Sequence, residues 1–514
     1  MPLSAELVDE LRIQVGIGWP VAASMFLNRM LPVSSILFLG HSVSSRNFAG
    51  AMLAMTLANV SGMSVLVGLA GATSTLCAQA HGAGAHHLLG EYLRRSLAVL
   101  ALACVPISAA WWFAAPVLRA LGQAAPIAAA ATGYLRGLIP SLWAWGVCQS
   151  CQAFLQAQGI TRPLALVSAA AAAAHVALNW ALICALGLGL GGGAAAASVS
   201  QCAVALGQVA VVVLQPARGA VDTASGGAPA ATGGGCTRAV LCTGWGEFLR
   251  LAAPGVLMIS EWWASEIAVI ASGNVAAAAR SLSVMALYQT TNSICFMFSL
   301  AFHVAAITRV GNALGAGDSA AARRGARVAA VSCAACLSCV ALALALGRHE
   351  WAAAFTDDAS VRMGVSRAVL VNCVYVIADG VQTALSGVLK GVGMQAQAGK
   401  VVVFSYFAVG LPVGGLLAFD RLPAGARGMS LGVIGLCIGM AIGTACHMAL
   451  LAVIVSRIDW DAEASQIAAG LAKAAPERAP RTVASKRARG YAQLASSDAG
   501  AVELPDAPTV PDGV

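Results

Sequence analysis

The chain has 514 residues, 59% of them hydrophobic and only 10% charged, with 30 Lys and Arg against 22 Asp and Glu. Soluble domains carry about a quarter charged residues, so this composition excludes an ordinary water-soluble protein, as it excludes collagen, a disulfide scaffold and a disordered chain. The long Ala, Leu and Val runs and the low aromatic share of 6% favour spanning helices over a membrane barrel.

In chain order, apolar stretches of spanning length fall at 17–39, 50–76, 93–114, 127–150, 163–186 and 193–214. A Gly-, Ala- and Thr-rich connector over 215–249 follows. Six more stretches fall at 250–272, 282–307, 327–347, 365–388, 399–419 and 429–456. The expected fold is therefore all-α and integral to the membrane: twelve helices, in a first lobe over 17–214 and a second over 250–456. Residues 1–16 form the N-terminus, and 457–514, with seven basic and eight acidic residues among Ala, Pro and Ser, read as a disordered tail. The first stretch lacks the layout of a cleaved signal and keeps Asn28 and Arg29 in its middle, so it reads as a true span.

Loops on one side, those with Arg12, Arg94, Arg95, Arg162, Arg309, Arg323, Lys390 and Lys400 among them, hold 13 basic residues against eight on the other. That bias puts both termini in the cytoplasm. Plasma membrane and vacuolar or other organelle membrane are both compatible with the sequence. No GxxxxGK[ST] loop is present, so an ion gradient is the simpler energy source. Most of the 15 cysteines sit inside apolar runs as small hydrophobes; the Cys148-x-x-Cys151 pair and the Cys333, Cys336, Cys339 series lack accompanying ligands. No metal, cofactor or nucleic-acid partner is expected.

The halves repeat. Gln79-Ala-His-Gly-Ala-Gly84, followed by Arg94 and Arg95, matches Asn312-Ala-Leu-Gly-Ala-Gly317, followed by Arg323, Arg324 and Arg327, 233 residues later. Near that offset Pro20 matches Pro254, and Gln149 matches Gln382. Six spans per half make the repeats parallel, and the cleft between such halves is where a transporter binds its substrate. Pro20 and Pro254, each near the start of a span, are candidate points of bending.

Ionisable residues at membrane depth are functional candidates by default, and here they are Arg29, Arg136, Glu261, Glu266, Asp379, His175 and His303. Glu261 and Asp379 lie near the centres of the seventh and tenth spans. A carboxylate withdrawn from water beside a second one can exchange a proton near neutral pH; deprotonated, the same acids attract a cation. Competition between proton and cationic substrate then yields antiport. Glu266 lies five residues on, about 140° around a helix, which gives it a separate role. Trp262 and Trp263 offer aromatic faces to an organic cation. Tyr288, Gln289 and Asn292, with Gln149 and Gln382, either line the cavity or bond between helices. Arg29 either neutralises an acid or attracts an anionic group.

At these residues the chain resembles the multidrug and toxic compound extrusion (MATE) family, in its eukaryotic branch. The resemblance runs from Pro20 to Trp460, through Gly71-Ala-Thr-Ser-Thr-Leu-Cys-Ala-Gln-Ala-His-Gly-Ala-Gly84, Phe154-Leu-Gln-Ala-Gln158, Glu261-Trp-Trp-Ala-Ser-Glu266, Thr308-Arg-Val-Gly-Asn-Ala-Leu-Gly-Ala-Gly317, Gly387-Val-Leu-Lys-Gly391 and Gly410-Leu-Pro-Val-Gly414. It implies a V-shaped pair of six-helix lobes, export of organic substrates in exchange for protons or sodium, and Glu261, Glu266 and Asp379 as family-matched acids. Arg29, Pro32 and His303 depart from the family pattern. Because the first span offers Asn28 and Arg29 where prokaryotic relatives often carry an Asp, coupling is expected in the second lobe. The sequence thus predicts a monomeric antiporter exporting organic cations against protons. An organic-anion exporter, a flippase for lipid-linked substrates and, from another class, a membrane-embedded enzyme are its rivals.

Overall fold

The computed structural model describes residues 5–214, 244–275, 278–419 and 429–474. The expected connector up to 243 and the tail beyond 474 lie outside them. Among the described residues all regular structure is helical. The first half comprises α1 (Ala5–Ser42), α2 (Ser45–Gly82), α3 (His86–Trp112), α4 (Ala125–Ala157), α5 (Arg162–Ala185) and α6 (Gly189–Leu214). The second comprises α7a (Trp245–Leu257) and α7b (Ser260–Ser272), then α8 (Ala278–Gly315), α9 (Ser319–Leu346), α10 (Ala359–Val392), α11 (Gln395–Ala418) and α12 (Val433–Ser456). A helix, or in the seventh case a helix pair, thus stands at each of the twelve predicted spans, and among the described residues ten helices are long and apolar enough to cross a bilayer. The 38 residues of α1 extend about 57 Å at 1.5 Å per residue, well beyond a hydrocarbon core of about 30 Å. Helix ends therefore lie outside the windows that hydropathy finds.

The chain is also helical beyond both ends of the predicted spans. Residues 5–16 are the first turns of α1, and Glu10 and Gln14 there are buried. The expected disordered tail begins with a helix, α13 (Trp460–Ala474). Asp459 accepts the amide of Ala462 at its start, and Ala464 is buried in the second half's core. Averaging over the whole tail hides this amphipathic turn.

The two repeated motifs end their helices identically. The Ala83 amide bonds Gln79 O, the Gly84 amide bonds His81 O and the Ala85 amide bonds Ala80 O; Ala316, Gly317 and Asp318 repeat the pattern on Asn312, Leu314 and Ala313. Gly84 and Gly317 take φ of 70° and 77°, the left-handed region that ends a helix best with glycine. The motifs also pack on each other. Gly82 lies against the backbone of Asn312, and Gly315 against that of Gln79, so tightly that neither position has room for a Cβ. Each motif is thus the other's partner about a pseudo-two-fold axis.

The division of the chain at 250 is not the division in space. The leading segment of each half leans on the other half: Phe248, Leu251 and Ala252 of α7a join the first half's core, while Gly18 of α1 packs on Ala301 of α8. Through Leu471 the halves form one compact unit.

Candidate functional site

Two adjoining cavities lie between the halves, with about 1070 and 960 Å³ of open space. They share the lining residues Glu261, Trp262, Phe296 and Leu300. The helix break in the seventh span accounts for this placement. Four residues after Pro254, the chain passes through Met258 and Ile259 with a tighter turn, in which the Ile259 amide bonds Val256 O. The new helix α7b then presents Glu261 in its first turn. Its counterpart Pro20 lies within the unbroken α1, so only one of the paired prolines accompanies a break.

Glu261 is buried and ringed by donors. Tyr406 Oη donates to its Oε1 at 2.6 Å, Tyr375 Oη reaches the same atom at 3.5 Å, and Gln382 Nε2 donates to Oε2 at 3.1 Å. The same Gln382 nitrogen donates to Asp379 Oδ1 at 3.0 Å. One amide therefore ties together carboxylates that stand 118 residues apart in the chain. Tyr406 also exchanges a 2.7 Å bond with Thr444 and meets the ring of His447 edge-on, and both imidazole nitrogens of His447 are buried without a partner among the described residues.

Other predicted residues divide between the cavities. Gln149 and Gln382 line the first; Arg29, Glu266, Trp263, Gln289 and Asn292 line the second, with Asp379 at its edge. Trp262 borders both and packs edge-on to Phe296. Trp263 Nε1 donates across the halves to Ser64 Oγ at 3.4 Å. Tyr288 is buried against Tyr375 and lines neither cavity. His175 is fully buried in a structural network: Nε2 donates to Leu31 O at 2.9 Å, and Nδ1 meets Ser200 Oγ at 2.7 Å.

Sequence reading passed over Tyr375, Tyr406, Thr444 and His447, single polar groups in apolar runs. It also counted Lys390 with the loop charges. Lys390 lies inside α10, buried, on the wall of the first cavity. The available signal was periodic: Asp379, Gln382, Ser386 and Lys390 recur on one helical face.

Nearly all bonds between the halves gather toward the end that carries Gly84 and Gly317. Gln79 Nε2 donates to Gly391 O at 2.9 Å, Thr75 Oγ1 to Lys390 O at 2.7 Å, and Thr308 Oγ1 to Gln156 O at 3.0 Å. Glu10 accepts from Arg309 Nε at 2.9 Å and Nη2 at 2.6 Å, and Gln14 Nε2 donates to Gly325 O at 2.9 Å. The cavities are closed on this face.

The MatE family model matches the chain twice, over residues 20–181 and 255–416, one match in each half. The chain belongs to the MATE family. It is 32% identical to Protein DETOXIFICATION 37 of Arabidopsis thaliana over 482 residues, covering 92% of this chain and 91% of that one. It is also 32% identical to DETOXIFICATION 16 of the same plant, over 89% of this chain and 90% of that one. The crystal structure of the eukaryotic MATE transporter AtDTX14 superposes with a TM-score of 0.81 at 29% identity, covering 91% of this chain and all of that one. A Vibrio cholerae MATE transporter, VcmN, shares the fold at a TM-score of 0.76 and 16% identity. This MATE chain is accordingly a multi-pass membrane transporter of small organic substrates, and the twofold match of one model gives the internal repeat its family meaning.

Proposed function

We propose that this MATE transporter is a monomeric antiporter that exports organic cations in exchange for protons by alternating access. The observation that carries the reading is the pair Glu261 and Asp379, joined through Gln382 where the two cavities between the halves meet. Acids in that position can hold a cation or protons, and cannot hold a full complement of both. A cation arriving from one side displaces protons; protons arriving from the other displace the cation. No covalent step is needed, and the differential affinity of the two loaded forms moves the halves. Trp262 and Phe296 supply aromatic surface for the cation where the cavities adjoin. The excess of loop Lys and Arg supports a cytoplasmic position for the closed face, and so for both termini.

Efflux of a fluorescent organic cation from proteoliposomes under an imposed pH gradient tests this. The parent chain is expected to transport, and Glu261→Gln and Asp379→Asn each to lose gradient-driven efflux. Efflux that persists in both variants, or that follows a sodium gradient alone, overturns the reading.

A further inference from the structure

The first cavity has a cationic end that proton exchange at Glu261 and Asp379 does not use. Lys390 is only 9% exposed and its ammonium faces the cavity near the closed face. His303 fixes its direction. Because His303 Nδ1 contacts the carbonyl oxygen of Thr383 at 2.8 Å, that nitrogen carries the ring proton, which leaves Nε2 to accept from Lys390 Nζ at 3.3 Å. Gly71 of the facing half lies beside the ammonium without crowding it: a Cβ there would stand 3.8 Å from Nζ, at ordinary van der Waals distance. Among the described residues no carboxylate lies within 4.0 Å of Nζ and His303 is its only side-chain bond. A buried ammonium without a counter-ion is costly, and three amide side chains of α4 share its cavity. Gln149, Gln152 and Gln156, spaced along one face of α4, all line the same cavity, and none of their amides has a partner among the described residues.

We infer that this end of the cavity is a carboxylate subsite, with Lys390 as the counter-ion and the glutamine face as additional donors, so that the exported compounds include zwitterions. The cationic centre of such a compound would face Glu261 and Asp379, which rests on the antiport reading, and its carboxylate would face Lys390. Eight residues of helix separate Gln382 from Lys390, about 12 Å along the axis of α10. Because the flexible side chain of Lys390 takes up part of that span, the favoured substrate carries its two charges within about 10 Å of each other on one rigid skeleton.

Equilibrium binding to the detergent-solubilised full chain tests the subsite without any gradient. The probes are a cationic rhodamine ethyl ester and the matching free acid, which is a zwitterion. The parent chain is expected to prefer the free acid. Lys390→Met is expected to raise the Kd of the free acid about 10- to 100-fold, the range for a hydrogen bond to a charged group, and to leave the ester within about twofold. Lys390→Arg keeps the preference. Equal weakening of both dyes in a folded Lys390→Met chain overturns the proposal, as does an unchanged free-acid Kd. Should Lys390→Met not fold, sodium benzoate on the parent chain decides: it displaces the free acid and spares the ester, and failure to discriminate overturns the subsite. Free acid bound through Lys390 but transported without regard to Glu261 would overturn proton coupling and leave the subsite standing.

Discussion

At the scale of single residues, the site is a carboxylate held by neutral donors rather than by a fixed cation. Tyr406 makes the shortest of these bonds, at 2.6 Å. Tyr406→Phe removes a hydrogen bond to a charged group, an interaction of about 1.5–3 kcal/mol, and is expected to weaken binding of an organic cation at neutral pH by about tenfold; an unchanged Kd would assign the tyrosine to packing alone. Arg29 and Glu266 share the second cavity without an ion pair within 4.0 Å among the described residues. Arg29→Gln and Glu266→Gln should therefore couple weakly, by about 0.2–1 kcal/mol in a double-mutant cycle read by substrate affinity. Strictly additive effects would mean that the two do not sense each other. Glu261 and Asp379 were legible because a charge in an apolar run has few bland explanations. Their partners were not: a tyrosine is an unremarkable member of a membrane helix, and Tyr406 lies 145 residues from the acid it touches.

At the scale of elements, the broken seventh helix and its crossing with α2 decide where the acids sit. The crossing is made by glycines. A Cβ at Gly68 would fall 2.6 Å from Val256 Cα, while one at Gly133 would meet nothing within 4 Å. Gly68→Ala is expected to destabilise the protein by about 1–3 kcal/mol, as overpacked substitutions do, lowering the melting temperature in detergent. Gly133→Ala, in the open, should raise stability slightly by helix propensity, by up to about 1 kcal/mol. Equal behaviour of the two variants would remove the crossing from the account. The twelve spans themselves could be read from the sequence, because hydropathy reports passage through lipid. The break at Met258 and Ile259 could not, since a proline inside a helix either bends it or is absorbed, as Pro20 is in α1. Lys390 was misplaced for a related reason: an apolar window ends where lipid ends, and α10 continues to Val392.

At the scale of the whole molecule, the two halves are joined firmly at one end and enclose cavities at the other. Glu10 and Arg309 form the charged part of that junction, with the Glu10 side chain 6% and the Arg309 side chain 25% exposed. Glu10→Ala should weaken the junction by about 1–2 kcal/mol, after allowance for solvent at Arg309, and shift the population toward chains open on that face. Distances between spin labels at the first turns of α1 and α9 would register this as a longer component absent from the parent; an unaltered distribution would show that the pair does not hold the halves. The repeat at an offset of 233 residues foretold that two motifs correspond. It did not foretell that they meet, because equivalence under an axis says nothing about distance from it.

Most of the neutral bonds at the junction share one trait: their acceptors are main-chain carbonyls. Gly391, Val392, Lys390, Gln156 and Gly325 all accept there from side chains of the other half. Four of these carbonyls, those of Gln156, Lys390, Gly391 and Val392, belong to the last turn of a helix, where Gln156 and Lys390 also accept the capping amides of Gly159 and Gly393. When the halves part, water can take over such an acceptor one for one, so each bond costs only about 0.5–1.5 kcal/mol net to release. A seam fastened by such exchangeable contacts comes apart bond by bond, each step small beside the whole.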